Sequence, residues 1–337
     1  MNIMVRTETI SARTLSSLKV GGEVSHVTVS NDEELLHALS YAKENNKRIH
    51  IRGLGTNTFF SDTLEDLLVV TILYKGISVE EKVDMVTMKL GAGEIWDDVV
   101  KYAITRGWWG IENLSFIPGT VGGAPVQNIG AYGAELSMVC DSVRVYDRKE
   151  EKFSIFCKSA CEFGYRDSIF KRNLGRYIIT EITLILSKLP KPNLVYRPLD
   201  SLKEKEFLFL HEIRELVINT RSIKLPDYHK YPNCGSFFKN PTIDENTFIH
   251  LQAKYPNVVY FKDKEGYKIP AAWLIEYVAK MKGEKNGDIG IWKEQALVVV
   301  NYGKAKSEDL ENFTLKIVNL IKDETDIVLE REVQFVE

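Results

Sequence analysis

The chain has 337 residues, 44% hydrophobic and 27% charged, with a formal net charge of −3. That length supports two or three domains with sizeable cores, and the ordinary apolar-to-charged balance excludes a fibrous repeat or a disordered chain. The slight acidity excludes a general nucleic-acid binder, which carries a basic excess, so an anionic ligand has to be met by local cations.

No apolar run approaches the ~18 residues that span a bilayer. The stretch MNIMVRTETISARTLSSLKVGG lacks the apolar core of a signal peptide, so a cytoplasmic protein with no membrane partner is expected. Cys140, Cys157, Cys161 and Cys234 form no C-x-x-C pair and the six histidines no H-E-x-x-H, which predicts reduced, mostly buried thiols and no metal site. No coiled-coil heptad demands an oligomer, and a monomer is expected.

In chain order, residues 31–46 open on Asn/Asp capping candidates and put Leu35, Leu36, Leu39 and Ala42 on one helical face. Arg48–Arg52 alternates as a strand and runs into Gly53-Leu54-Gly55-Thr56-Asn57, a junction where backbone amides can meet phosphate. It is no Rossmann fingerprint, because the third glycine is missing, and no Walker-type loop occurs. Strands are predicted at 67–74, 77–82 and 85–93, then a helix over 94–106 with Trp96, Val99, Val100 and Ala103 inward, and Trp108 and Trp109 as core.

Residues 117–133, IPGTVGGAPVQNIGAYG, hold five glycines in seventeen positions, where 22 in 337 would place about one. With only Gln, Asn, Thr and Tyr as polar company, the stretch reads either as a main-chain cradle for a cofactor or as a glycine-rich corner packed against a neighbouring strand. Strands follow at 142–146, 152–156 and 177–186. Residues 189–198 carry three prolines around Tyr196, and read as an exposed loop able to cover a site or as ordinary surface. A helix is predicted over 204–223. Arg221, Lys224, Lys230 and Lys239 face one acid, Asp227, between Thr220 and Asn240, which suits a phosphate or carboxylate ligand or a solvated basic face. Helices near 269–281 and 307–322 flank a strand at 296–300, and 327–336 alternates as a strand with Glu330-Arg331-Glu332 inside it.

Seven of these segments, in this order, resemble the UDP-N-acetylenolpyruvoylglucosamine reductases: GLGTN at 53–57, residues 117–133, FGYRDSIFK at 163–171, KLPD at 224–227, GSFFKNP at 235–241, QAL at 295–297 and LEREV at 329–333. The Tyr196 loop is similar to that of the family's type I branch. The resemblance implies an α+β protein: a two-part FAD-binding fold of the vanillyl-alcohol-oxidase/PCMH type, residues 1–73 joined by about 321–337 and then 74–225, plus a small α+β substrate-binding domain over 226–320. It implies noncovalent FAD held by Gly53, Gly55, Thr56, Asn57, Ile117, Pro118, Gly119, Gly122 and Gly123, with Gln127, Asn128, Gly130 and Ala131 on the flavin side and Arg221 as a further cofactor contact.

It further implies NADPH as hydride donor and UDP-N-acetylglucosamine enolpyruvate as substrate. Arg166 would bind the substrate carboxylate, Ser236 give a proton to C2, and Glu332 polarise the enol; Tyr165, Tyr196, Lys224, Asn240 and Gln295 would contact substrate. The family's terminal motif is often LEPEVR. Here Arg331 stands for the proline and Gln334 for the arginine, which leaves open whether Glu330 or Glu332 faces the cleft. A related FAD oxidase acting on a sugar or alcohol, or a nucleotide-sugar binder without catalysis, are the competing readings.

Overall fold

The computed structural model describes residues 6–263 and 266–337. The first five residues of the stretch read above for a signal peptide lie outside the described residues. The chain divides into two compact units, one of Met1–Ile10, Val24–Leu54 and Glu65–Arg221, the other of Ser11–Glu23, Gly55–Leu64 and Ser222–Glu337.

In the first unit, strands Glu23–Val29 and Arg48–Arg52 lie parallel on either side of Leu67–Ile72. Leu67–Ile72 is buried at every residue, as suits the predominantly apolar run of a central parallel strand, with Thr71 as its one polar side chain. Helix Asp32–Glu44 is capped by Asn31, whose side chain accepts from the Glu34 amide at 3.0 Å, and it buries Leu35, Ala38 and Ala42. A five-stranded antiparallel sheet follows in the order Lys152–Cys157, Cys140–Asp147, Tyr177–Ser187, Met85–Gly91, Ile77–Glu81. Helix Trp96–Ile104 packs the four predicted side chains into the same core.

Trp108 and Trp109 are buried as expected, Trp109 in a side cluster with Leu199, Leu202, Leu210, Ile213 and Val217. The predicted helix over 204–223 spans Leu210–Lys224 instead. The Phe209 amide donates to Glu212 Oε2 at 3.0 Å, so Glu212 closes the first turn, and residues 204–209 stay outside it. Cys140, Cys161 and Cys234 are buried and Cys157 exposed, all as free thiols.

The second unit contains an antiparallel sheet ordered Asn233–Ser236, Gln295–Asn301, Ile289–Trp292, Lys285–Asn286, backed by helix Ser307–Thr325 through Leu310, Phe313, Ile317 and Ile321. Helix Glu245–Lys254, capped by Asp244, was not legible in the sequence. The predicted helix near 269–281 is a turn, Ala271–Trp273, running into a π-helical segment, Leu274–Val278. The predicted terminal strand is shorter than its alternation suggests. Only Gln334–Val336 is strand, parallel to Thr58–Phe60, while Arg331 meets Phe238 through a single bridge.

Candidate active site

Strand Arg48–Arg52 delivers Gly53 to the end of the first parallel sheet, where a side chain has no room. A Cβ at residue 53 would stand 2.3 Å from Thr120 Oγ1. The two stretches singled out separately in the sequence, Gly53–Asn57 and 117–133, therefore meet at Gly53 and Thr120. Arg52 anchors this turn, donating to Thr71 Oγ1 and to the Leu54 carbonyl, both at 3.1 Å. Burial lowers the Arg52 pKa to about 10, which still leaves a cation at neutral pH.

The glycines of 117–133 do not all serve the same end. Gly122 is a packing residue: its amide donates to the Ala92 carbonyl at 2.8 Å, and an added Cβ would lie 2.8 Å from Ala92 Cβ. Gly119 has φ +133° and its carbonyl accepts from Trp96, whereas Gly123 has only Thr120 Oγ1, at 3.9 Å, near its absent Cβ. Gly123 thus presents bare backbone to open space, which suits a ligand cradle. The entry to the stretch is fixed by Asp97, which accepts from the Phe116 amide at 2.5 Å and holds Arg214 through two 2.7 Å bonds. Burial would raise the Asp97 pKa, but the Arg214 guanidinium and the Phe116 amide outweigh it and hold the carboxyl below its usual range. Ile117 packs on the core of this unit.

FGYRDS clasps the second half of the stretch at alternate residues. Ser168 Oγ donates to the Val126 carbonyl at 2.7 Å, Asn128 Nδ2 to the Gly164 carbonyl at 3.0 Å, and Arg166 Nη2 to the Gly130 carbonyl at 2.9 Å. Asn128 is buried, and its side chain also meets Glu135 and the Ser137 amide, so its amide group is engaged in holding the loop. Phe116, Asn128, Tyr132 and Arg166 all have left-handed φ, between +44° and +61°. Each such residue costs ~1 kcal/mol or more and persists only where its surroundings hold it, a pattern that clusters at functional sites.

Arg166 lies with its Cζ 5.6 Å from the ring of half-exposed Tyr165. Arg221 donates to the Phe116 carbonyl at 3.2 Å. Burial lowers the Arg221 pKa, Tyr132 and Asp97 oppose that, and the charge of Arg166 adds to it. Two guanidiniums close enough to repel suit an anionic ligand. Tyr196, half exposed, lies beside Gly133: a Cβ there would come within 3.2 Å of the Tyr196 ring. Its loop is tied down by Asn193, which donates to the Gly133 carbonyl at 2.9 Å, and by Asn113, which donates to the Tyr132 and Asn193 carbonyls at 2.8 Å each. Gln127 and Ala131 lie along the clasped segment between these anchors.

In the second unit, Gly55 has φ +68° and its carbonyl accepts from the Ser17 amide at 3.0 Å, which seats Thr56 and Asn57. Asn57 Nδ2 reaches the Glu332 carbonyl at 3.3 Å. Ser236 ends a bulged strand: Gly235 has φ +69°, and its amide donates to Asn233 Oδ1 at 2.9 Å. The Glu332 amide donates to the Phe237 carbonyl at 2.8 Å, placing Glu332 alongside the residue that follows Ser236. Glu330 points elsewhere, exposed and ion-paired with Lys239. Asn240 Oδ1 caps the turn at Ala271 at 2.9 Å, Gln295 Oε1 accepts from the Leu297 amide at 3.3 Å, and Lys224 is exposed at the end of its helix.

Thr120, Arg52, Asp97, Asn113 and Ser168 were missed by sequence reasoning. Ser168 lies within the FGYRDSIFK motif and Asp97 in a predicted helix, but nothing in their spacing marks them as anchors.

Residues 25–152 match the FAD binding domain family, and residues 227–336 match the UDP-N-acetylenolpyruvoylglucosamine reductase C-terminal domain. The UDP-N-acetylenolpyruvoylglucosamine reductase of Aliivibrio fischeri is 42% identical over 284 residues, 84% of this chain and 80% of that protein. Its counterpart from Shewanella oneidensis is 40% identical over 84% of this chain and 82% of that protein. The crystal structure of the Thermus caldophilus UDP-N-acetylenolpyruvylglucosamine reductase superposes with a TM-score of 0.69 at 24% identity, covering 99% of this chain and 100% of that one.

The fold and these matches define an FAD-dependent oxidoreductase with an α+β FAD-binding fold and a separate C-terminal domain. The chain belongs to the UDP-N-acetylenolpyruvoylglucosamine reductase family. Its residues fit the cofactor: bare backbone at Gly123, the crowded Gly53–Thr120 turn and the Arg52 cation on that turn are suited to a dinucleotide diphosphate. No helix among the described residues is long and apolar enough to cross a membrane.

Proposed function

We propose that the protein reduces UDP-N-acetylglucosamine enolpyruvate to UDP-N-acetylmuramate with NADPH as reductant, a step in supplying peptidoglycan precursor. The observation that carries this reading is the clasp of FGYRDS on 126–130, with the Arg166 guanidinium held on the Gly130 carbonyl beside Arg221. The named relatives, similar over more than four-fifths of the chain, support the same reading.

FAD, when bound, supplies the hydride that goes to C3 of the enolpyruvyl group. Arg166 binds the substrate carboxylate and stabilises the negative charge that hydride addition leaves at C2 and on that carboxylate. Ser236 Oγ gives C2 its proton; a hydroxyl is a weak acid, but an enolate is basic enough to take its proton from a positioned donor. Glu332 polarises the enol and orders the neighbouring groups, a role supported by its tie to Phe237 and by the engagement of Glu330 with Lys239. Gly53, Gly55, Thr56, Asn57, Pro118, Gly119 and Gly123 take the cofactor diphosphate, Gln127, Gly130 and Ala131 its flavin side, and Arg221 is a further cofactor contact with no side assigned. Tyr165, Tyr196, Lys224, Asn240 and Gln295 take the substrate.

In this reading residues 1–73 with about 321–337, then 74–225, form the two cofactor-binding parts, and 226–320 the substrate part. The test is turnover by the FAD-loaded protein. NADPH oxidation that depends on the enolpyruvyl substrate, with a product heavier by two hydrogens, bears the reading out. NADPH oxidation unaffected by that substrate overturns it.

A further inference from the structure

Arg331, in the terminal segment beside Glu332, is held on several sides. Its Cζ lies 5.5 Å from the ring centroid of Phe59 and 5.6 Å from that of Phe335, and those two rings stack at 4.5 Å with planes 14° apart. Its Nη2 is 3.9 Å from Glu311 Oε1 on helix Ser307–Thr325. Phe59 is fully buried, so the guanidinium caps an aromatic pair rooted in the core of the second unit.

The backbone around Arg331 is fixed as well. The bridge between Phe238 and Arg331 is made by the Lys239 amide donating to the Glu330 carbonyl at 2.9 Å and the Glu332 amide donating to the Phe237 carbonyl at 2.8 Å. Neither bond uses the N–H of residue 331. A proline there would leave the bridge intact and restrict φ. With arginine, the chain gains freedom at residue 331, and the aromatic pair and Glu311 take up the task of limiting it.

We propose that Arg331 is a positioning residue: its guanidinium, capping Phe59 and Phe335, holds the 330–332 segment in the register that places Glu332 beside the strand of Ser236. The inference rests on the proposed role of Glu332. It assigns Arg331 no contact with substrate or cofactor, and it makes arginine and proline two solutions to one constraint.

The test compares Arg331→Ala with Arg331→Pro, each as full-length FAD-loaded protein, by two readouts. The first is amide hydrogen exchange over residues 329–334. The second is the rate at which the enolpyruvyl substrate reoxidises flavin already reduced by NADPH. Arg331→Ala should speed exchange and slow reoxidation by about tenfold or more, the scale on which small misplacements act. Reduction by NADPH should be unchanged. Arg331→Pro should return both readouts towards the unaltered protein, a rescue that simple loss of packing does not produce.

Unchanged exchange and reoxidation in Arg331→Ala would overturn the inference, as would equal slowing in the alanine and proline variants. The unaltered protein separates the two levels of the argument. If substrate fails to reoxidise its flavin, the functional reading fails; if it succeeds and the variants do not differ, the positioning role alone fails.

Discussion

Arg166 donates through Nη2 to the carbonyl of Gly130 at 2.9 Å while holding a left-handed backbone at φ +51°. One bond thus ties the FGYRDS motif to the glycine-rich stretch and aims the guanidinium along it. Arg166→Ala removes this tie and the charge, leaving the Ser168–Val126 and Asn128–Gly164 bonds. The variant should still be reduced by NADPH, but its flavin should be reoxidised by the enolpyruvyl substrate about 10²-fold more slowly, the usual scale for a lost charge-stabilising donor. Stopped-flow absorbance of each half-reaction checks this; equal slowing of both contradicts it.

Ser236→Ala deletes the proposed proton donor without touching the bulge that shapes it, since the bulge depends on Gly235 and Asn233. Reduction by NADPH should stay near normal while reoxidation slows by about 10²-fold or more, as for a positioned acid. A solvent isotope effect on reoxidation that is present in the unaltered protein and altered in the variant separates proton transfer from a packing effect.

The crowding at Gly53 gives a test of the cofactor turn. Gly53→Ala would drive a Cβ to 2.3 Å from Thr120 Oγ1 and 3.4 Å from Thr120 Cγ2. Overpacking of this kind costs ~1–3 kcal/mol, so the variant should unfold at lower denaturant concentration and purify with less FAD. Thr120→Ala in the same chain removes the clashing Oγ1 and should restore much of the loss. Equal FAD content in the single and double variants would contradict a direct clash.

Tyr196 lies against Gly133 in a loop fastened by Asn193 and Asn113. Tyr196→Phe keeps the ring and removes the hydroxyl, so the substrate dissociation constant should rise while the rate at saturating substrate changes little. Isothermal titration of the oxidised protein measures it, and an unchanged constant argues against a substrate-covering role.

His50, buried in the strand that ends at Gly53, has its pKa lowered to about 4 by burial and by the nearby charge of Arg52. The unfolded chain takes up this proton near pH 6.5, whereas the folded chain resists until about pH 4. Between those values the unfolded state binds more protons, so stability falls as pH falls. Denaturant unfolding from pH 7 to pH 4 should show that slope, and His50→Gln should flatten it.

Local periodicity made much of the fold legible. Residues 67–74 announce a strand, and Asn31 with the leucines after it announces a capped helix, because both signals lie within a few residues; that the strand is parallel and buried at every residue of Leu67–Ile72 follows from its neighbours in the sheet. The terminal segment misled: residues 327–336 alternate like a strand, but only Gln334–Val336 is strand, and Arg331 pairs through a single bridge with Phe238, a pairing decided by tertiary contact.

The same limit applies to the site. Glycines signal that backbone must be bare or crowded, yet only the structure separates Gly122, packed on Ala92, from Gly123, facing open space. Asn128, expected on the flavin side, also bonds through its side chain to Glu135, Gly164 and Ser137, partners that no local pattern announces. Ser168 and Asp97 anchor these loops through partners 42 and 117 residues away in sequence, beyond any local pattern.

The central claim is that one flavin site accepts hydride from NADPH and delivers it to an enolpyruvyl UDP-sugar. The most direct measurement is an anaerobic absorbance titration of the FAD-loaded protein, first with NADPH and then with UDP-N-acetylglucosamine enolpyruvate. Bleaching followed by return of the oxidised spectrum, in proportion to substrate added, is the predicted result. Bleaching that the enolpyruvyl substrate fails to reverse would contradict the account.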